Sequence, residues 1–146
     1  MGTRVRWSNA AAAAGDTGLR PRRRILVADD DATIRNIIVQ VLKLQGYEVD
    51  AATNGTEALE LCAAAPRPYD VLVTDLMMPL MGGKELIERA RGLEPALRVI
   101  CLSASFSEAS LDCSVLFLPK PFSLRAIVAL VKSALEQTRR RQAETG

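Results

Sequence analysis

Five short apolar runs, each closed by polar residues and separated by stretches of helical apolar spacing, govern what this 146-residue chain can fold into. Ile25 to Ala28, Tyr47 to Ala52, Val71 to Thr74, Arg98 to Leu102 and Val115 to Leu118 have the length and the β-branched or aliphatic content of strands. Ile25-Leu26-Val27-Ala28 is continuously apolar, as in a central parallel strand buried on both faces. Between the runs, Ile34, Ile37, Ile38, Val41 and Leu42 repeat at helical spacing and stop at Gly46. Asn54-Gly55-Thr56 opens a second helix, with Ala58, Leu59, Leu61 and Cys62, that ends before Pro66. A third helix spans Lys84 to Gly92 with Leu86, Ile87 and Ala90 inward. After the fifth run comes a long amphipathic helix with Leu124, Ile127, Val128, Leu130, Val131 and Leu135, expected to fray at Arg139-Arg140-Arg141. Such strict alternation implies one doubly wound α/β domain around a parallel sheet.

In open parallel sheets, ligands gather at the carboxyl ends of the strands. Asp29-Asp30-Asp31 follows the first run, Asp75 the third, Ser103 the fourth and Lys120 the fifth. If the first, third and fourth strands are neighbours, Asp29, Asp30 and Asp75 share one crevice. Like charges packed that closely raise one another's pKa unless a cation neutralises them. An all-oxygen set suits a hard cation, Mg2+ or Mn2+, that keeps several waters. A hydroxyl and an ammonium then complete the groups needed to hold a phosphoryl on a carboxylate. Singly these residues read more plainly: Asp31 as a helix N-cap, Ser103 as a turn former, Lys120 as a solvated lysine, Phe117 as core. Their convergence at one sheet end is what makes Asp29, Asp30, Asp75, Ser103 and Lys120 candidate site residues.

Composition removes several alternatives. The chain has no histidine, which excludes His-based general catalysis and His-ligated metals. Cys62, Cys101 and Cys113 lack a C-x-x-C spacing and read as small buried apolar residues in a reducing cytoplasm. No apolar run approaches the roughly 20 residues of a membrane span. The arginines of residues 1–23 are not followed by the apolar stretch of a secretory signal. Residues 1–24 hold six of the 19 basic residues and only Asp16 of the 17 acidic ones, so the remainder is mildly acidic. Residues 1–23 have too little patterned apolar surface to order and read as a solvated basic, Ala-rich arm. A basic flexible tail is expected over 139–146, with the domain at 24–138. Neither a membrane nor a nucleic-acid partner is expected.

The pieces Ile25-Leu26-Val27-Ala28-Asp29-Asp30-Asp31, Asp75-Leu76-Met77-Met78-Pro79-Leu80-Met81-Gly82-Gly83, Ser103-Ala104 and Lys120-Pro121-Phe122 occur in that order. Together they resemble the receiver domain of two-component response regulators, over roughly Arg24 to Leu135. The resemblance implies a flavodoxin-like (βα)5 sheet of strand order 2-1-3-4-5. It implies that Asp75 accepts a phosphoryl group from a phosphohistidine on a histidine kinase or phosphotransfer protein. Asp30 would bind Mg2+ directly, Asp29 mainly through water, and Asp75 and the Met77 backbone carbonyl would complete the protein ligands. Ser103 Oγ and Lys120 would each hold a phosphoryl oxygen, Phe117 would be the switch aromatic, and Lys120-Pro121 would be cis. It also implies a cytoplasmic signalling protein that assists its own phosphorylation and dephosphorylation rather than an enzyme, a monomer or weak dimer acting on a downstream protein.

Two departures stand out. Only 16 residues separate Ser103 from Lys120, so the fourth crossover is near the minimum of about 10–12 residues, and its helix is expected to be short or irregular. Met77 puts a thioether beside the path of a hydrolytic water, which suggests a long-lived phosphoryl group. With 11 residues after Leu135, no output domain is expected to follow. Among rivals, Asp29-Asp30-Asp31-Ala32-Thr33 fits the D-x-D-x-T motif of haloacid-dehalogenase-type phosphatases, with Asp29 and Asp31 as its acids. Such an enzyme needs a later acidic pair, and beyond Pro121 only Glu136 and Glu144 remain. A flavodoxin-like nucleotide binder would meet repulsion between three aspartates and phosphate. A receiver-like module that binds without being phosphorylated is the third alternative.

Overall fold

The computed structural model describes residues 22–104 and 114–145, with 137–145 as backbone only. Its elements in chain order are β1 (Arg24–Ala28), α1 (Ala32–Leu44), β2 (Glu48–Ala52), α2 (Gly55–Ala64), β3 (Val71–Asp75), α3 (Gly83–Leu93), β4 (Arg98–Ser103), β5 (Leu116–Pro119) and α4 (Leu124–Thr145). The strands form one parallel sheet of order β2-β1-β3-β4-β5. This is the flavodoxin-like arrangement expected from the sequence. The crossover expected to hold a short or irregular fourth helix falls on residues 105–113, outside the described residues, as do residues 1–21 of the arm.

Because successive side chains of a strand point to opposite faces, each central strand feeds two cores. Ile25, Val27, Val71, Val73, Ile100 and Leu102 pack with Ile38 and Leu42 of α1 and Ile127 and Val131 of α4. Leu26, Ala28, Leu72, Val99 and Cys101 pack on the other face with Ala58 of α2 and Leu86, Ile87 and Ala90 of α3. Fully burying each such Ile or Leu is worth about 1.5–3 kcal/mol, which is why the continuous apolar runs settled in the middle of the sheet.

The element ends follow local chemistry. Asp31 caps α1, its Oδ1 accepting the N–H groups of Thr33 and Ile34 at 2.9 and 3.2 Å. Gly46, with φ of 96°, turns the chain into β2 after α1, a conformation that favours glycine. Asn54 caps α2 by accepting the Glu57 N–H at 2.8 Å. Two boundaries differ from the sequence expectation. The fifth strand is Leu116–Pro119 rather than starting at Val115, because its register is set by Ile100 and Ser103 of β4. The last helix continues through Thr145 instead of ending near Arg139; Arg, Gln, Ala and Glu are all favourable helix formers, so nothing local stops it.

Candidate functional site

The site lies where β1, β3, β4 and β5 emerge. Asp29 directly follows β1, Asp75 is the last residue of β3, Ser103 the last of β4, and Lys120 follows β5. The register pairs Thr74 with Cys101 and Asp75 with Leu102, and Ser103 with Pro119, so the strand ends are level. One carboxylate oxygen from each of Asp29, Asp30 and Asp75 lies within 4.8 Å of the others. Lys120 Nζ donates to Asp75 Oδ2 at 3.0 Å and stands 3.7 Å from Asp29 Oδ2.

Asp29 is fully buried, with its Oδ1 accepting the Asp31 N–H at 2.9 Å. Its Oδ2 is buried with no hydrogen-bond partner among the described residues. Burial raises the Asp29 pKa, the Asp31 N–H and Lys120 pull it down, and the charges of Asp75 and Asp30 push it further up. At Lys120 burial works to lower the pKa, but the hydrogen bond to Asp75 and the charges of Asp29 and Asp75 prevail and raise it. A cluster of three carboxylates against one ammonium keeps an excess of negative charge. The orphaned Oδ2, the oxygen-only donor set and the 4.8 Å spread fit a hard divalent cation such as Mg2+ or Mn2+.

The Asp75 side chain is held from the other side by the Met77 N–H, which donates to Oδ1 at 3.2 Å. The Met77 side chain itself is 77% exposed at the rim. Thr74 Oγ1 donates to the Asp75 carbonyl at 2.9 Å. Ser103 is buried and its carbonyl accepts the Lys120 N–H at 2.8 Å. The Lys120-Pro121 bond is cis. Phe117 stands on β5 opposite Cys101 of β4 and is 38% exposed. Asp31 caps α1, its Oδ1 taken up by the Thr33 and Ile34 N–H groups.

Two glycines with no packing role assigned from the sequence, Gly55 and Gly83, shape the loop after Asp75. A Cβ on Gly83 would stand 2.5 Å from the Asp75 carbonyl oxygen, and one on Gly55 would run into the Met81 carbonyl and lie 2.8 Å from Met81 Cβ. Thus α2 and α3 both begin on a residue that must lack a side chain for the loop to pass. The Gly82-Gly83 pair was the visible signal; Gly55 gave none, because its neighbour comes from another loop.

Residues 25–132 match the family model described as the response regulator receiver domain. The response regulator MprA of Mycobacterium tuberculosis is 40% identical over 121 residues, covering 80% of this chain and 52% of that protein. The chain therefore spans about half the length of the curated relatives it matches. A CheY-like response regulator receiver domain protein from Methanospirillum hungatei JF-1 superposes with a TM-score of 0.76 at 28% identity, over 82% of this chain and 98% of that one. The receiver domain of the hybrid histidine kinase CckA gives 0.69 at 32% identity, over 77% and 98%.

Proposed function

Since the chain belongs to the response regulator receiver domain family, we propose that Asp75 accepts a phosphoryl group from a phosphohistidine of a partner histidine kinase or phosphotransfer protein. The observation that carries this reading is the meeting of Asp29, Asp30 and Asp75 within 4.8 Å, with Lys120 on Asp75 at 3.0 Å. A carboxylate oxygen of Asp75 attacks phosphorus, forming the P–O bond. The P–N bond breaks, and the imidazole leaves with the electron pair and takes up a proton. Asp29, Asp30, Asp75 and the Met77 carbonyl would hold Mg2+ or Mn2+, which when bound neutralises charge on the transferring oxygens. Lys120 already marks the Asp75 oxygen and would transfer its contact to a phosphoryl oxygen, and Ser103 Oγ would take another. Phe117, partly exposed on the neighbouring strand, is the group we assign to report the Ser103 shift on the surface. The phosphorylated domain then changes its binding to a downstream protein in the cytoplasm, or passes the group onward.

The phosphatase alternative needs Asp31 as a second acid, and that carboxylate is engaged by two N–H groups of α1. Intact mass after incubation with Mg2+ and a small acyl-phosphate donor tests the reading. One phosphoryl group should be added, and Asp75→Asn or omission of metal should abolish it. Donor turnover without an adduct and without dependence on Asp75 would reject it. In the same time course, Met77→Asn should shorten the adduct's lifetime, because an amide at the rim can orient water where a thioether cannot.

A further inference from the structure

Asp29 follows the last residue of β1 and is wholly buried, yet its polar atoms are bound in three directions. Its N–H donates to the Ala52 carbonyl at 3.2 Å, its Oδ1 accepts the Asp31 N–H at 2.9 Å, and its carbonyl accepts Arg35 Nη1 at 2.8 Å. Arg35 lies in the first turn of α1 and is half-buried. Its hydrogen bond goes to the main chain of Asp29 rather than to the carboxylate. The remaining acceptor, Oδ2, has no hydrogen-bond partner among the described residues and stands 3.7 Å from Lys120 Nζ, which donates to Asp75 Oδ2. One Asp29 carboxylate oxygen lies within 4.8 Å of one from Asp30 and one from Asp75.

We infer that Arg35 is a positioning residue for the metal site: by holding the Asp29 carbonyl it fixes the peptide from which Oδ2 is aimed at the acid cluster. This rests on the reading of Asp29, Asp30 and Asp75 as a Mg2+ site. Electrostatics alone argues the other way. A guanidinium bound to the Asp29 main chain repels a divalent cation held by that residue's carboxylate, so its charge by itself makes removal of Arg35 tighten metal binding. Glu57 of α2, whose carboxyl is held below the usual range first by the Thr53 N–H and hydroxyl and only last by this guanidinium, moderates that field. Fixing the direction of a ligand has the opposite sign, since groups that orient metal-binding side chains strengthen affinity. Orientation and charge therefore predict opposite changes.

The test is calorimetric titration of MgCl2 into the wild-type chain, Arg35→Ala and Arg35→Lys, with thermal melts of each in chelator. The expected result is a Kd raised about tenfold in Arg35→Ala, the lower end for groups that support a metal ligand, with Arg35→Lys recovering most of the affinity because it keeps a donor. An unchanged or tighter Kd in Arg35→Ala overturns the inference, as does a lowered melting temperature with no change in Kd, which marks a purely structural contact. Should the alanine variant fail to fold, Arg35→Met, which keeps the length of the side chain and loses the donor, decides: a Kd raised about tenfold supports the positioning role, and an unchanged Kd rejects it. A wild-type chain that takes up no Mg2+ overturns the site reading itself, and the inference with it, before any variant is compared.

Discussion

Asp29 is held in an unfavourable state by its own surroundings. It is fully buried, it shares space with two other carboxylates, and one of its oxygens has no hydrogen-bond donor among the described residues. Burying such a group is tolerated only when something compensates its charge. Lys120 at 3.7 Å does part of this. Asp29→Asn should therefore stabilise the metal-free protein by about 1–2 kcal/mol while removing most of the stabilisation that Mg2+ gives wild type. That stabilisation is about 1.4 kcal/mol at roughly tenfold excess over Kd. Melts with Mg2+ and with chelator measure both, and an Asp29→Asn protein that still gains as much from Mg2+ as wild type would refute the assignment. At this scale the sequence was legible for Asp29, Asp75, Ser103 and Lys120, because parallel strands all deliver their ends to one side. It was silent on Arg24, which reads as part of a solvated arginine run. The residue is instead 4% exposed, with Tyr69 4.4 Å from its guanidinium and Glu48 and Asp50 at 3.3 and 3.1 Å. All three partners lie 24 or more residues away in sequence, and local reading gives no sign of them.

Among the elements, α2 has the most readable beginning. Asn54 accepts the Glu57 N–H, and Glu57 Oε1 reaches back to the Thr53 N–H at 2.6 Å and the Thr53 hydroxyl at 2.8 Å. This is close to a capping box, displaced by one residue. The Thr53 N–H, then its hydroxyl, and more weakly the charge of Arg35 hold the Glu57 carboxyl below its ordinary 4.5. A lowered folded-state pKa gives stability that is present above the unfolded value and lost as pH falls through the folded one. Wild type should thus be more stable than Glu57→Gln near neutrality, by under about 1 kcal/mol because Glu57 is only half-buried and solvent screens its charge. The gap should begin to narrow once the pH drops below about 4.5 and go on closing as the pH falls through the lower folded value. Paired denaturation curves at pH 7 and pH 3.5 check this, and a gap that persists in acid would show that the bond to Thr53 does not depend on ionisation. The β1–α1, β2–α2 and β3–α3 alternation was readable because caps, apolar spacing and glycine stops agreed. The displaced start of β5 and the continued α4 were not: one depends on register with β4, the other on the absence of any stop signal.

Across the whole molecule, the two ends of the sheet carry opposite designs. The carboxyl ends gather acids that remain unbalanced. At the amino ends, Arg24, Arg67 and Arg23 are matched by Glu48, Asp50 and Asp70, with Tyr69 donating to Asp50 at 2.6 Å. The five residues of β1 separate the two ends by about 17 Å, beyond the Debye length of about 8–10 Å. Arg24→Met should accordingly cost about 3 kcal/mol, the order of a broken buried pair, and leave the Mg2+ Kd unchanged. Chemical denaturation and metal titration of the same variant measure both, and a Kd that moves with stability would mean the two ends are coupled. The glycines at the starts of α2 and α3 have a consequence on another timescale. Any substitution of glycine adds a Cβ, and at Gly83 that atom would stand 2.5 Å from the Asp75 carbonyl while at Gly55 it meets the Met81 backbone. These positions have no neutral neighbours in mutational space, whereas an aspartate can become asparagine with its shape intact. A descendant lineage released from signalling would be free to lose its acids by drift and would still be obliged to keep both glycines.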